Sequence, residues 1–234
     1  MLRSIINKLG YDIIPVVMSI DKDKNLGREF EYIYNICKSY TMTTKERCYA
    51  LYKAIQYIIK AGIKGVFVEC GVWRGGSAMI MALTLQQLNA QRTIFLYDTF
   101  EGMPQAGEYD IDFKGNPPKR DYDWIKVSKE QVYENISKTN YLDFTLIEGK
   151  VEDTLPKFAP YKISLLRLDT DWYESTKHEL EYLYPYLEKG GVILIDDYGW
   201  WNGAKKATDE YFKDKPILLN RIDVTGRIGV KFHN

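Results

Sequence analysis

The sequence predicts an α/β protein with a doubly wound, mostly parallel sheet and helices on both faces. Short apolar runs such as KGVFVEC and TIFLYD carry an acid at or near their ends, a pattern that suits buried parallel strands. Helical segments alternate with these runs. The glycine-rich turn GVWRGGS joins the first run to the next helix, which completes a βαβ unit. The 234 residues suffice for one domain with a continuous core.

The first element is a predicted N-terminal helical extension over residues 1–60. Its clearest part runs from Lys45 to Lys60, where apolar side chains such as Ile55 and Ile58 recur near helical spacing. Gly62 follows as a helix stop. The start of the chain also has an apolar helical face, which we expect to pack on the domain or on a second subunit.

The main domain is predicted over residues 61–234, with an insertion at about 101–140. The insertion is rich in Gly, Pro, charged and aromatic residues, and its end, 128–137, is predicted to be helical. Its aromatic side chains either form a lid over a bound molecule or pack the insertion on the domain: Tyr109, Phe113, Tyr122 and Trp124.

After the insertion the alternation of strand and helix resumes. The predicted strands are DFTLIEG, KISLLRLD and GGVILIDD, and the predicted helices are STKHELEYLYPYL and NGAKKATDEYF. The tail reads as two strands joined by a turn at Thr225-Gly226, so the sheet is expected to end in an antiparallel strand.

Composition excludes several classes of protein. Lys+Arg and Asp+Glu both number 32, so no net charge attracts nucleic acid. The three cysteines lie far apart, which argues against a disulfide framework or a zinc site and fits a reducing cytoplasm. No apolar run approaches the length of a membrane span. We therefore expect a cytoplasmic protein without an integral membrane segment.

The glycine-rich turn predicts a cofactor site. Glu69 and Gly71 come from the first strand, Ser77 lies at the N-terminus of the next helix, and Asp98 ends the second strand, where an acid binds ribose hydroxyls. The pattern is ExGxxxGG rather than the GxGxxG of dinucleotide folds, and Trp73 stands where a pyrophosphate would approach. An acid on the first strand suits a ligand with an ammonium group, such as S-adenosylmethionine.

Four aspartates carry a sharper signal. Asp169 and Asp171 follow one predicted strand, and Asp196 and Asp197 follow its neighbour. Adjacent strands lie about 4.8 Å apart, so these carboxylates would share a pocket and repel one another unless a cation lies between them. Oxygen ligands alone favour Mg²⁺ or Ca²⁺. The alternative is that the acids cap the helices that follow.

Asp169 and Asp171 are expected on one side of an extended chain, whereas Asp196 and Asp197 need a turn to converge.

These segments together resemble the macrocin-type (TylF) O-methyltransferases, which methylate sugar hydroxyls in macrolide and aminocoumarin biosynthesis. The resemblance covers nearly all of residues 41–212. It is carried by the following segments: TM at 41–42, FVECGVWRGGSA at 67–78, LYDTFEGMP at 96–104, EDTLP at 152–156, LLRLDTDWYESTKHELEYLYP at 165–185 and GGVILIDDYGWWNGAKKATDEYF at 190–212.

The resemblance implies a Rossmann-like class I methyltransferase that uses S-adenosylmethionine and Mg²⁺ on a sugar-containing small molecule. We also expect a homo-oligomer, a dimer or a tetramer. It implies that Asp169, Asp196 and Asp197 hold the metal and that Asp171 is the general base. It implies a cofactor pocket formed by Thr41, Met42, Glu69, Gly71, Val72, Trp73, Ser77, Asp98, Thr99, Phe100, Gly149, Lys150, Val151 and Asp169. One departure is Thr170, where family members often have Gly between the two acids.

Other interpretations remain open at this stage. His178 is a rival base, although its place in a helix favours packing. A catechol-like phenol is an alternative acceptor on the same architecture. An NAD-dependent oxidoreductase is disfavoured by the missing GxGxxG, and a non-catalytic binding module is disfavoured by the presence of all four acids.

Overall fold

The structure is a computed structural model that describes residues 26–118 and 123–233. Its centre is a seven-stranded sheet of order β3-β2-β1-β4-β5-β7-β6. The strands are β1 (Val66–Cys70), β2 (Ile94–Asp98), β3 (Phe144–Glu148), β4 (Ile163–Leu168), β5 (Leu187–Ile195), β6 (Asn220–Arg221) and β7 (Arg227–Val230).

The described helices alternate with these strands along the chain. They are α1 (Arg28–Cys37), α2 (Lys45–Lys60), α3 (Gly76–Gln87), α4 (Lys129–Ser137), α5 (Val151–Phe158), α6 (Tyr173–Leu183) and α7 (Asn202–Phe212). Helix α2 matches the predicted run and ends as expected, because Gly62 adopts φ +69° and Ile63 N donates to Ile58 O at 3.1 Å.

Strands β1 to β5 are parallel, and β7 pairs antiparallel with β5. The chain passes from β1 outward to β3 and then returns to β4 on the other side of β1. The crevice at the carboxyl ends of β1 and β4 is therefore the switch point, where such sheets bind ligands. The predicted fold class is confirmed, including the antiparallel C-terminal strand.

Side chains of one strand alternate between two apolar layers. Phe67 and Leu165 belong to a layer with helices α1 to α4, whereas Val68 and Leu166 belong to the opposite layer, with α5 and α6. Helix α1 takes part through Phe30, which is fully buried. The N-terminal helices thus share the core of the sheet, and this packing holds α2 beside the strand ends.

The structure also contains an element that the sequence analysis did not predict. Helix α5 spans eight residues and includes Pro156, so its periodic signal is short and interrupted. The segment from Ser128 to Ser137 is helical as predicted, and the Ser128 hydroxyl caps it by accepting from Gln131 N.

Some predictions lie outside the described residues. These are the apolar helical face near the N-terminus, within 1–25, and any role of Tyr122. The homo-oligomer and the cytoplasmic location stay predictions as well. Among the described residues, no helix combines the length and the apolar character that a membrane span requires.

Candidate active site

A cavity of about 670 Å³ opens at the carboxyl ends of the central parallel strands. All the residues predicted for the site line it, although they come from segments up to 156 positions apart in the chain. They are Thr41, Met42, Glu69, Gly71, Val72, Trp73, Ser77, Asp98, Thr99, Phe100, Gly149, Lys150, Val151, Asp169, Asp171, Asp196 and Asp197. The fold therefore brings the two predicted sites into one space, while the role of each residue stays a prediction.

The turn after β1 lies in backbone contact with the end of β4. Gly71 has φ +84°, and a β-carbon at this position would lie 2.6 Å from the carbonyl carbon of Asp169. At the start of α3, a β-carbon on Gly76 would lie 2.6 Å from Tyr40 O and from Thr41 Cβ. These glycines are required because two other segments pack directly on the turn.

Asp98 fixes the shape of this turn. Its Oδ2 accepts from Val72 N at 2.6 Å and from Trp73 N at 3.1 Å, and its Oδ1 accepts from Phe100 N at 2.9 Å. Trp73 and Phe100 have φ of +47° and +55°, backbone angles that residues other than glycine seldom adopt. The Asp98 carboxylate thus stabilises two unusual backbone conformations at the edge of the cavity, while its role toward a ribose stays a prediction.

Glu69 is a buried acid at the floor of the cavity. Only 1% of it is exposed, Oε1 accepts from Arg167 Nη1 at 2.8 Å, and Oε2 has no hydrogen-bond donor among the described residues. Burial raises the pKa of Glu69 to about 7, against the lowering effect of Arg167. The unpaired oxygen is suited to accept from a cationic group of a ligand.

Arg167 organises the acids, and the sequence analysis did not identify it. Nη1 also donates to Asp169 Oδ2 at 2.6 Å, and Nη2 donates to Asp196 Oδ1 at 2.7 Å and to Thr43 Oγ1 at 3.0 Å. Only 2% of its side chain is exposed. One guanidinium therefore ties together an acid in β1 and the acids that directly follow β4 and β5. The available signal was a charged residue inside the otherwise apolar strand ISLLRL.

The three predicted metal ligands meet in the structure. Carboxylate oxygens of Asp169, Asp196 and Asp197 lie within 4.8 Å of one another. Burial and the neighbouring acids raise the pKa values of Asp169 and Asp197 well above their ordinary range, although Arg167 acts in the opposite direction on Asp169. Asp197 Oδ2 is buried without a hydrogen-bond donor among the described residues. A set of oxygen donors with an unpartnered buried oxygen fits a hard divalent cation.

Asp171 reaches the cluster by a route that the sequence analysis did not predict. The chain does not stay extended through Asp171, the condition for it to share a side with Asp169, because Asp171 adopts φ +68°, in the left-handed region. This turn leaves Asp171 lining the same cavity as Asp197. Burial, together with the charges of Asp169 and Asp196, raises the pKa of Asp171 to about 7, against the lowering effect of Asp197. The group is thus poised to exchange a proton near neutral pH.

Thr170 has a partner beneath the site. Its hydroxyl donates to Glu179 Oε1 on α6 at 2.9 Å, and its carbonyl accepts from Trp172 N at 2.8 Å. Glu179 is fully buried, and burial raises its pKa well above the ordinary value. Thr170, which departs from the family pattern, is therefore held through both its hydroxyl and its carbonyl, directly before Asp171.

The alternative role for the acids, as helix caps, is not observed. No side chain of the preceding residue caps α6 or α7, whose N-caps are Trp172 and Trp201. The Tyr173 amide of α6 instead donates to Asp110 Oδ1 at 2.8 Å. A buried residue of the insertion thus takes the capping position.

The predicted lid aromatics divide into two groups. Trp124 lines the cavity, whereas Tyr109 packs edge-on against Tyr173, with ring centroids 4.8 Å apart. Phe113 contacts Trp200, which lines the cavity mouth. The lid function stays a prediction.

His178 is not among the residues that line the cavity. Its ring stacks on that of Tyr182 at 4.2 Å. The structure therefore brings Asp171, and not His178, to the acid cluster.

Comparisons with known proteins agree with this geometry. Residues 24–231 match the family described as Macrocin-O-methyltransferase (TylF). The chain is 33% identical to demethyldecarbamoylnovobiocin O-methyltransferase of Streptomyces niveus, over 85% of this chain and 77% of that protein. It is 31% identical to 8-demethyl-8-(2,3-dimethoxy-alpha-L-rhamnosyl)-tetracenomycin-C 4'-O-methyltransferase of Streptomyces olivaceus, over 97% and 89% respectively.

A solved structure shows the same fold. The O-methyltransferase NovP superposes with a TM-score of 0.77 at 32% identity, and the match covers 83% of each chain. The family match, the relatives and the cavity together lead to one assignment. The chain belongs to the macrocin-O-methyltransferase (TylF) family and is an S-adenosylmethionine-dependent O-methyltransferase.

Proposed function

We propose that this enzyme methylates a hydroxyl of a sugar or glycosylated small molecule, with Mg²⁺ positioning and activating that hydroxyl. The observation that carries the proposal is the convergence of two sites. Arg167 bonds Glu69 on one side and Asp169 and Asp196 on the other, so the cofactor acid and the metal acids share a cavity. A methyl donor and a metal-bound hydroxyl would be neighbours in this space.

The cofactor side is assigned as follows. S-adenosylmethionine supplies an electrophilic methyl group when it is bound. Glu69 Oε2, which has no donor of its own among the described residues, would accept from the ammonium group of the methionine part. Asp98 would bind the ribose hydroxyls while it holds the turn, and Gly149 to Val151 would flank the adenine.

The metal side follows from the acid cluster. When bound at Asp169, Asp196 and Asp197, Mg²⁺ would stabilise a hydroxyl oxygen as it loses its proton and fix its position. Asp171 would accept that proton, because the turn at φ +68° brings its carboxyl group into the cavity beside the proposed metal ligands. Vicinal hydroxyls of a sugar would give the ion two neighbouring oxygen ligands.

The rim of the cavity favours a sugar that is attached to an apolar group. Met42, Trp124 and Trp200 line the cavity and are 54%, 63% and 41% exposed. Exposed apolar side chains around a cavity are typical of a surface that binds a ligand or partner. The names of the relatives, which concern a novobiocin precursor and a rhamnosyl tetracenomycin, point to the same class of acceptor.

The direct test is mass spectrometry of acceptors after incubation with S-adenosylmethionine and Mg²⁺. The panel contains a free rhamnoside, a rhamnosylated aromatic natural product, a nucleotide-linked rhamnose and catechol. We expect one added methyl group on a sugar-containing acceptor and its loss with EDTA. The Asp196→Ala variant should lose turnover and retain S-adenosylmethionine binding, measured by calorimetry. Methylation of catechol alone would overturn the sugar assignment, and full turnover in EDTA would overturn the metal role.

A further inference from the structure

A second arginine occupies the acid cluster, and it differs from Arg167 in how it is held. Arg47, on α2, contacts Asp196 Oδ2 through Nη1, while Arg167 takes Asp196 Oδ1. Both oxygens of Asp196 are therefore paired with guanidinium groups. Arg47 lines the cavity and 12% of its side chain is exposed, whereas Arg167 is 2% exposed. A positive charge thus lies on the open side of a proposed metal ligand.

Arg47 also has a second carboxylate within reach. Its Nε lies 3.0 Å from Asp223 Oδ2, in the turn between β6 and β7. Thr44 Oγ1 donates to the same oxygen at 2.6 Å, and Asp223 Oδ1 accepts from Thr225 N at 2.9 Å and from Gly226 N at 2.7 Å. These donors lower the pKa of Asp223, although burial acts in the opposite direction. Asp223 therefore stays charged and in place whether or not Arg47 touches Asp196.

The two arginines are not equally free to move. Arg167 is bonded to Glu69, Asp169, Asp196 and Thr43, so its departure would leave several buried groups without a partner. Arg47 would give up only Asp196 and would keep its ion pair with Asp223. Of the two, Arg47 is the one that a competing cation is able to displace at small cost.

We propose that Arg47 is a displaceable internal counter-cation of the acid cluster. It neutralises Asp196 before a divalent cation binds and is retained by Asp223 and the Thr44 hydroxyl once the cation takes Asp196. This inference rests on the proposed metal site and adds what sets its affinity. Because two cations compete for one carboxylate, removing Arg47 should tighten divalent metal binding, and removing Asp223 should weaken it by leaving Arg47 with Asp196 as its main partner.

The test measures binding of Mn²⁺, as a substitute for Mg²⁺, by titration calorimetry and electron paramagnetic resonance without any acceptor. For Arg47→Gln we expect affinity to rise by about tenfold or more, since a like charge in contact with the site is removed. Arg47→Lys is the matched control that keeps the charge and should stay near the wild-type value. Asp223→Asn should bind less tightly. Thermal unfolding verifies that each variant is folded.

The double variant separates two roles of Asp223. If Asp223 acts through Arg47, then Arg47→Gln combined with Asp223→Asn should bind Mn²⁺ as tightly as Arg47→Gln alone. If the double variant binds Mn²⁺ as weakly as Asp223→Asn does, Asp223 does not act through Arg47. Unchanged or weaker binding by folded Arg47→Gln would overturn the inference while the metal proposal stands. If neither the wild type nor Arg47→Gln binds Mn²⁺, both proposals fail; binding by Arg47→Gln alone would support the inference.

Discussion

Arg167 and Glu69 form an ion pair of 2.8 Å in which neither side chain is more than 2% exposed. Glu69 and Arg167 are register partners on the neighbouring strands β1 and β4, so the ion pair links the two middle strands of the sheet. The guanidinium also donates hydrogen bonds to Asp169, Asp196 and Thr43. One arginine inside a buried strand is therefore the shared partner of acids at the ends of three neighbouring strands.

Replacing this arginine by an apolar side chain should destabilise the protein strongly. Arg167→Met leaves Glu69 and Asp169 without their ion-pair partner, while Asp196 keeps Arg47. Breaking a buried ion pair costs about 3–5 kcal/mol. The measurement is urea unfolding at pH 7. Arg167→Lys keeps the charge but loses the forked geometry, so it should lose less stability. A loss below about 1 kcal/mol for Arg167→Met would contradict the role assigned to Arg167.

Glu69 should make the cofactor-free protein less stable as the pH rises. Its pKa is raised from 4.5 to about 7 in the folded state, so folding favours the protonated form. The stability from this group is complete below about pH 4.5 and is lost as the pH rises through 7. Asp171 contributes with the same sign. Urea unfolding between pH 4.5 and 8 should show a smaller decline for Glu69→Gln than for wild type, and equal slopes would refute the prediction.

Adding a side chain at Gly71 should abolish the S-adenosylmethionine site. In Gly71→Ala the new methyl group would collide with the backbone of Asp169, and the backbone would also be strained at φ +84°. We expect a loss of about 2 kcal/mol or more in unfolding free energy and no measurable S-adenosylmethionine binding by calorimetry. Gly115→Ala is the control, because Gly115 has φ +85° but open space around its Cβ position. Equal behaviour of the two variants would exclude the close contact as the cause.

The hydroxyl of Thr170 should matter for both stability and rate. Thr170→Val leaves buried Glu179 without its donor, which costs about 1–3 kcal/mol, and releases the turn that orients Asp171. We expect a lower kcat with little change in S-adenosylmethionine affinity. Thr170→Ser retains the hydroxyl and should stay close to wild type in both measurements. If Val and Ser variants behave alike, the hydrogen bond to Glu179 does not position the base.

Asp171→Asn should slow methyl transfer while the other three aspartates still bind the metal. Removing a general base lowers the rate by about 10²- to 10⁴-fold, whereas Asp169, Asp196 and Asp197 remain to bind the metal. The assays are single-turnover methyl transfer and Mn²⁺ titration on the same preparation. Asp209→Asn, which alters an exposed acid on α7, is the control. An unchanged rate would remove Asp171 as the base, and loss of Mn²⁺ binding would make it a metal ligand.

The sequence by itself determined the fold class and a set of residues that the fold brings to one cavity. Alternating strand and helix signals are local, and acids at strand ends converge in any parallel sheet whose strands are neighbours, so Glu69, Asp98 and the four aspartates were predictable from position alone. Helix α5 was missed because eight residues with Pro156 give too short a periodic signal. Arg167 was visible only as a charge in an apolar strand, without any sign of what it pairs with.

Only the tertiary structure decided how these charges are partnered. Arg47 meets Asp196 across 149 positions of sequence and Asp223 across 176, and no local pattern on α2 or in the C-terminal turn marks either contact. The turn at Asp171 is likewise followed by long-range bonds, from Trp172 Nε1 to Pro104 O and from Tyr173 N to Asp110 Oδ1. A left-handed backbone at a non-glycine residue persists only where its surroundings enforce it. Pairing energies between buried charges depend on distances of a few ångströms, and packing alone fixes those distances.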